Sequence, residues 1–161
     1  MGHWTYGYDA AGNLLTQTDA RGVVTHLQYD DLQRLTQKSY TNPPINDATI
    51  TYTYDAYDTT PGAPTCLHGG ITAAGMLVKI TDGAGAEYHC YDSRGREELT
   101  RRTVEGVPYD ISRTFDELDQ TIWMKYPNDD IVTYGRNDQG QITTANGGGS
   151  PILQFASRLP S

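Results

Sequence analysis

Five aspartates recur at a regular place in the chain, Asp9, Asp30, Asp55, Asp92 and Asp116, and Asn137 occupies a sixth such place. Paired carboxylates are the equipment of glycoside hydrolysis, which needs two of them about 5–10 Å apart across a bond. Here each carboxylate is a whole repeat from the next and is followed by turn-forming residues, so capping of turns is the reading that fits. A second set, Cys66, His68, His89 and Cys90, has the donor types of a zinc tetrahedron. Its Cys-x-His and His-Cys spacings match no standard finger, and neighbours on a strand point to opposite faces. The expectation is a buried free thiol and solvated imidazoles, with no metal bound. Gly-x-Ser-x-Gly, a phosphate-cradling glycine loop and His-Glu-x-x-His are all missing from the sequence. Accordingly no catalytic residue, cofactor-binding residue or metal ligand is assigned.

The elements that position these residues follow from composition and pattern. Among 161 residues are 12 Tyr, 21 Thr, 17 Gly and 8 Pro, with a net charge of −8. Tyr and Thr suit half-buried pleated surfaces, and Gly and Pro supply turns, so the expectation is all-β. The acidic balance argues against nucleic acid, which requires basic side chains to neutralise phosphate. No apolar run approaches the ~20 residues of a membrane-spanning helix, and no basic-then-apolar leader follows Met1. The length suits one domain or a piece of a larger one.

Self-similarity organises the chain. Tyr8-Asp9, Tyr29-Asp30, Tyr54-Asp55, Tyr91-Asp92, Phe115-Asp116 and Arg136-Asn137 stand at intervals of 21, 25, 37, 24 and 21 residues. A unit of about 20–25 residues accounts for all but one interval. A glycine three residues after the anchor, as in Gly12, Gly95 and Gly140, takes positive φ without a Cβ clash. Gln33 and Asp119 replace that glycine in two copies. A second phrase between anchors, Thr18-Asp19-x-x-Gly22 and Thr81-Asp82-x-x-Gly85, reads as another reversal, and Val104–Val107 and Tyr126–Asp130 occupy its place later. Two reversals per unit leave two strands per unit. Segments 13–18, 23–29, 50–54, 76–81 and 107–115 have the strand character this requires. The long interval holds an insertion near 56–75, rich in Pro, Gly and Thr, and Asn42-Pro43-Pro44 marks a shorter loop. Stacked at equal intervals, the tyrosines Tyr8, Tyr29, Tyr54 and Tyr91 are expected to form a packing ladder, with Phe115 keeping the ring and Arg136 lying flat on a neighbour.

The phrase Tyr6-Gly-Tyr8-Asp9-Ala-Ala-Gly12-Asn-Leu14, followed by Thr18-Asp19-Ala-Arg-Gly22, resembles the RHS, or YD, repeat, and the resemblance recurs in register over about residues 4–146. Such repeats occur in large bacterial polymorphic toxins and insecticidal toxin complexes and in animal teneurins. The resemblance implies a strip of β-hairpins that spirals into a hollow shell, which in the bacterial toxins encloses a C-terminal toxic domain. The expected architecture is therefore a curved, open strip of antiparallel hairpins with about ten to twelve strands. It comprises an array over 1–146 and a Gly-rich linker and tail over 147–161, of which residues 151–161 are either disordered or begin a strand whose partners are missing. The expected function is that of a non-enzymatic structural segment of an exported or cell-surface bacterial protein. Its partners would be neighbouring repeats and an enclosed toxin domain, with self-association through exposed strand edges. The alternative is a carbohydrate- or cell-surface-binding module using exposed tyrosines, Trp4 and Trp123; no cofactor, nucleic acid or membrane span is expected.

Overall fold

The computed structural model describes residues 2–41, 49–66, 73–148 and 150–154. His68, the Asn42-Pro43-Pro44 loop, insertion residues 67–72 and tail residues 155–161 lie outside the described residues. The strands are β1 (Thr5–Tyr8), β2 (Leu14–Thr18), β3 (Val24–Tyr29), β4 (Leu35–Thr41), β5 (Ile50–Asp55), β6 (Ala73–Asp82) and β7 (Gly85–Tyr91). They continue as β8 (Glu97–Val104), β9 (Val107–Phe115), β10 (Thr121–Lys125), β11 (Ile131–Arg136), β12 (Ile142–Gly147) and β13 (Ser150–Gln154).

Among the described residues, these thirteen strands form one sheet in chain order, so strands consecutive in the chain are neighbours in the sheet. Each pairing is antiparallel. The all-β strip is as the sequence implies, with one strand beyond the expected ten to twelve. The extra strand is β13, which lies past the last repeat anchor and pairs with β12.

A meander places alternate loops on opposite edges. The anchor loops join β1–β2, β3–β4, β5–β6, β7–β8, β9–β10 and β11–β12, so all six share one edge. The ladder is interrupted at the ring position before most anchors: the register shifts at Gly7/Tyr8, Gln28/Tyr29, Tyr54/Asp55, Cys90/Tyr91 and Gly135/Arg136. Bulges re-aim the side chain they carry, and each of these turns a ring or guanidinium sideways along the strip.

A single layer buries little. The buried apolar residues among those described are Ala73, Val78, Cys90 and Ala145. Three of them lie on β6 and β7, where the inserted chain folds back.

Candidate functional site

Seven loops share one backbone frame. The N–H of the first residue donates to the carbonyl four residues on, and the N–H of the fourth donates back to the carbonyl of the first, in 9–13, 19–23, 30–34, 92–96, 116–120, 126–130 and 137–141. This is a type I turn closed by one left-handed residue. The fourth residue has φ between 62° and 90° whether it is Gly12, Gly22, Gly95, Gly140, Gln33, Asp119 or Asp129. In six of the seven the first side chain accepts the N–H groups two and four residues on, at 2.8–3.1 Å, from Asp9, Asp19, Asp30, Asp92, Asp116 and Asn137. The loop at Tyr126 keeps the frame without a carboxylate.

These contacts decide what the carboxylates can do. Asn13 holds the Asp9 carboxyl below its usual range, and the Arg34 N–H does the same for Asp30. Burial pushes Asp92 up, but the hydrogen bonds from Arg96 outweigh it and the net shift is downward. A carboxylate kept ionised by two to four donors holds a turn closed and gives no proton to a substrate.

Two predicted anchors are built differently. Asp55 closes no loop of the shared frame: its Oδ1 accepts from Gly75 N and Arg34 Nη1, and its Oδ2 from Arg34 Nη2. Arg34 lowers the Asp55 pKa to about 2. The insertion has taken away the residues that would have closed the turn. Asp82 caps Ala84 and Gly85 in a two-residue hairpin, and Gly85 already belongs to β7. A Cβ on Gly85 would lie 1.8 Å from the Thr103 carbonyl oxygen, so close strand approach demands glycine there. Thus Thr81–Gly85 and Thr18–Gly22, alike in sequence, are different turns.

The ring positions carry a relay that periodicity alone did not reveal. The Tyr29 phenol donates to Leu14 O at 3.0 Å, Tyr54 to Leu35 O at 2.9 Å and Tyr91 to Leu77 O at 2.7 Å. Leu14, Leu35 and Leu77 are the register partners of Tyr8, Tyr29 and Tyr54, so each ring reaches the carbonyl paired with the ring before it. Arg136 does not lie flat on a ring as expected; its Nη2 donates to Thr121 O, the partner of Phe115. The stacking belongs instead to Arg34 over Tyr54, 4.4 Å from the ring centre, and Arg96 over Phe115 at 4.8 Å. Both arginines stand four residues after an anchor and bind that anchor through Nε. Each also reaches the next anchor loop, Arg34 to Asp55 and Arg96 to Asp116 O and Asp119. The planar guanidinium suits this three-way role, which a lysine point charge cannot reproduce.

The expected free thiol is a disulfide. Cys66 and Cys90 are bonded with Cα atoms 5.4 Å apart, and no free cysteine is found among the described residues. The insertion, a surface loop by its composition, returns to the sheet through Cys66 and meets Cys90, which is fully buried. Three polar ties accompany the bond: Lys79 to Asp58 at 2.6 Å, Tyr57 to the Tyr91 backbone, and Arg101 to Gly62 O. Nor is His89 solvated. Its Nδ1 lies 2.6 Å from Glu97, which raises its pKa, and its Nε2 lies 3.2 Å from Glu87. Cysteine and histidine point to opposite faces, and no metal-holding cluster is found among the described residues.

Between this tethered loop and β8–β10 lies a cleft of about 440 Å³, roofed by Ala63, Pro64 and Thr65 and floored in part by Arg101, Asp110 and Trp123. Sequence reading singled out Trp123 and missed Arg101 and Asp110, which only the β8–β9 register brings opposite each other.

Comparison with known proteins bears on this architecture. Residues 8–44 match the family model for the RHS Repeat. A crystal structure of TcdB2-TccC3 superposes with a TM-score of 0.72 at 15% identity, covering 96% of this chain and 8% of that one. A structure of the Photorhabdus luminescens Tc holotoxin pore with a TccC3 mutation superposes with a TM-score of 0.66 at 19% identity, covering 88% and 7%. The chain therefore spans less than a tenth of the length of these solved chains. No curated protein sequence matches it. The likeness to RHS-repeat proteins read from the sequence now rests on the family match and on the shared fold.

Proposed function

We propose that this chain is a length of wall: a non-enzymatic structural segment of a large exported bacterial RHS-type protein, part of a β-shell that encloses or presents a toxin domain. The observation that carries the reading is the relay at the ring positions. Tyr29, Tyr54, Tyr91 and Arg136 each bind the preceding unit, and Arg34 and Arg96 bind the following one. Side chains with chemical potential are thereby spent on joining hairpins, and the anchors are strung along an edge instead of converging on one substrate. The mechanism is steric. Hydrogen-bonded strands about 4.8 Å apart leave no opening through which a polypeptide could pass.

Two further features support the reading. A disulfide suits an oxidising compartment outside the cytosol, in keeping with export. Among the described residues, the outer strands β1 and β13 each have one edge without a partner strand, where neighbouring repeats would add. Among the described residues no helix is long and apolar enough to cross a membrane.

The test is to image the protein with its natural flanking sequence and to digest it with protease. A hollow particle with a protected internal domain is expected. A solid particle, or an internal domain cut as fast as when expressed alone, would overturn the reading. The isolated chain is expected to self-associate through its edges in sedimentation; a strict monomer at all concentrations counts against this.

A further inference from the structure

We propose that the cleft beneath the tethered loop is a binding site for a neutral saccharide, with Trp123 as the stacking surface and Asp110 as the principal hydroxyl acceptor. The inference is independent of the wall reading, since a wall segment carries or lacks such a site with equal ease.

The cleft has the chemistry of a polar, uncharged, partly apolar ligand. At about 440 Å³ it falls within the range of small-molecule sites. Its lining includes two arginines, Arg101 and Arg113, and two acids, Glu98 and Asp110, so its formal charge is zero. That balance disfavours phosphate, sulfate or a carboxylate ligand. Trp123 is half-buried on the floor and offers an aromatic surface of the kind that packs against sugar C–H groups. Beside it stand the hydroxyl residues Ser112 and Thr114.

Asp110 is already oriented. Arg101 holds it with two parallel bonds, Nε to Oδ1 at 2.7 Å and Nη2 to Oδ2 at 2.6 Å. An ionised carboxylate has about four acceptor positions, and the arginine fork occupies two of them. The remainder are free to receive hydroxyl protons without a rotamer change. Arg101 also donates to Gly62 O at 3.4 Å, so the residue that fixes the acceptor also steadies the roof. Cys66, next to Thr65 in that roof, is bonded to Cys90 of β7, which ties the roof to the sheet.

The site extends beyond one sugar unit. A second hollow of about 180 Å³ shares Asp110 and Ser112 with the first and continues to Lys125 and Tyr126. Two adjoining hollows with a common acceptor fit an oligosaccharide better than a monosaccharide. The other aromatic group, Trp4, Tyr6 and Tyr8, is well exposed, but none of the three lines either hollow.

The experiment uses the purified chain with its disulfide intact, and binding is read by titration calorimetry, which needs no tryptophan and so serves the Trp123 variants as well. Probes are neutral oligosaccharides of glucose, galactose, mannose and N-acetylglucosamine, with sialylated and sulfated oligosaccharides and uncharged tetrapeptides as comparators. At least one neutral saccharide should saturate with a Kd of about 1 mM or tighter. Trp123→Ala and Asp110→Asn should each weaken it about tenfold or more, Trp123→Phe should retain part of it, and Tyr6→Ala should leave it unchanged. No saturable neutral binding, a preference for the anionic sugars or the peptides, or binding that survives Asp110→Asn would each overturn the proposal. Asp110→Asn nearly preserves side-chain shape and decides the matter if Trp123→Ala fails to fold.

Discussion

Arg136 donates from Nη2 to the carbonyl oxygen of Thr121 across 3.2 Å, the step that a tyrosine phenol makes in three earlier units. A guanidinium and a phenol share little beyond a flat shape and an outward donor. Either serves at this position because both set a hydrogen-bond donor on a flat body that carries it sideways to the preceding unit. Phe115 keeps the ring and loses the donor, and Arg96 covers its face instead.

The first prediction follows. Tyr54→Phe and Tyr91→Phe should each destabilise the chain by about 1 kcal/mol, the net worth of one hydrogen bond. Tyr8→Phe should have little effect, because Tyr8 is 61% exposed at the first strand. Urea midpoints of the three variants check this, and equal effects at all three positions would refute the relay.

Loop geometry yields a second prediction. Gln33 and Asp119 hold φ of 62° and 63°, where a side chain costs about 1 kcal/mol relative to glycine. Gln33→Gly should therefore stabilise. Gly95→Ala should cost more than Gly12→Ala, since an added Cβ at Gly95 meets the Met76 methyl at 2.6 Å, whereas at Gly12 it meets nothing within 4 Å. Thermal unfolding of the three variants ranks them.

Reduction of the disulfide supplies the third. Cys66 and Cys90 are 24 residues apart, and opening that loop should cost about 3 kcal/mol by chain entropy. Melting with and without reductant, and of Cys66→Ser with Cys90→Ser, should agree. Hydrogen exchange should rise in residues 56–66 while the hairpins β1–β4 stay protected.

A pH dependence with two limbs is the fourth prediction. Lys79 lowers the Asp58 pKa to about 2, and Arg34 does the same for Asp55. Depressed folded-state values mean that this stability is present above about pH 4, the unfolded range, and is lost as pH falls toward 2. His89 is raised by Glu97, so its contribution is full below about pH 6.5 and disappears as pH rises through the raised value. Stability should peak in between. Arg34→Ala should flatten the acid limb and His89→Gln the upper one, as read from denaturant midpoints across pH.

Much of this protein is legible in its residues alone. Asp and Asn act on N–H groups two and four residues away, and a single left-handed residue, Gly or at some cost Gln33 or Asp119, closes the turn. Such effects are confined to five consecutive residues, so spacing exposes them, and two reversals per unit imply a hairpin array. Asp55 and Gly85 escaped the same logic because their partners are Gly75 and Thr103, which the chain brings close only by pairing strands.

What only the tertiary structure decided involves contacts between units. Which carbonyl a phenol finds depends on where a bulge turns its strand, a property of the pairing and not of any one segment. Cys66 and Cys90 look like two unrelated thiols in a list of residues, and they meet because the insertion folds back over β7. The same fold-back roofs Trp123, Arg101 and Asp110. Local backbone chemistry writes its own signature in sequence order; a cleft is assembled from residues whose separation along the chain says nothing of their distance in space.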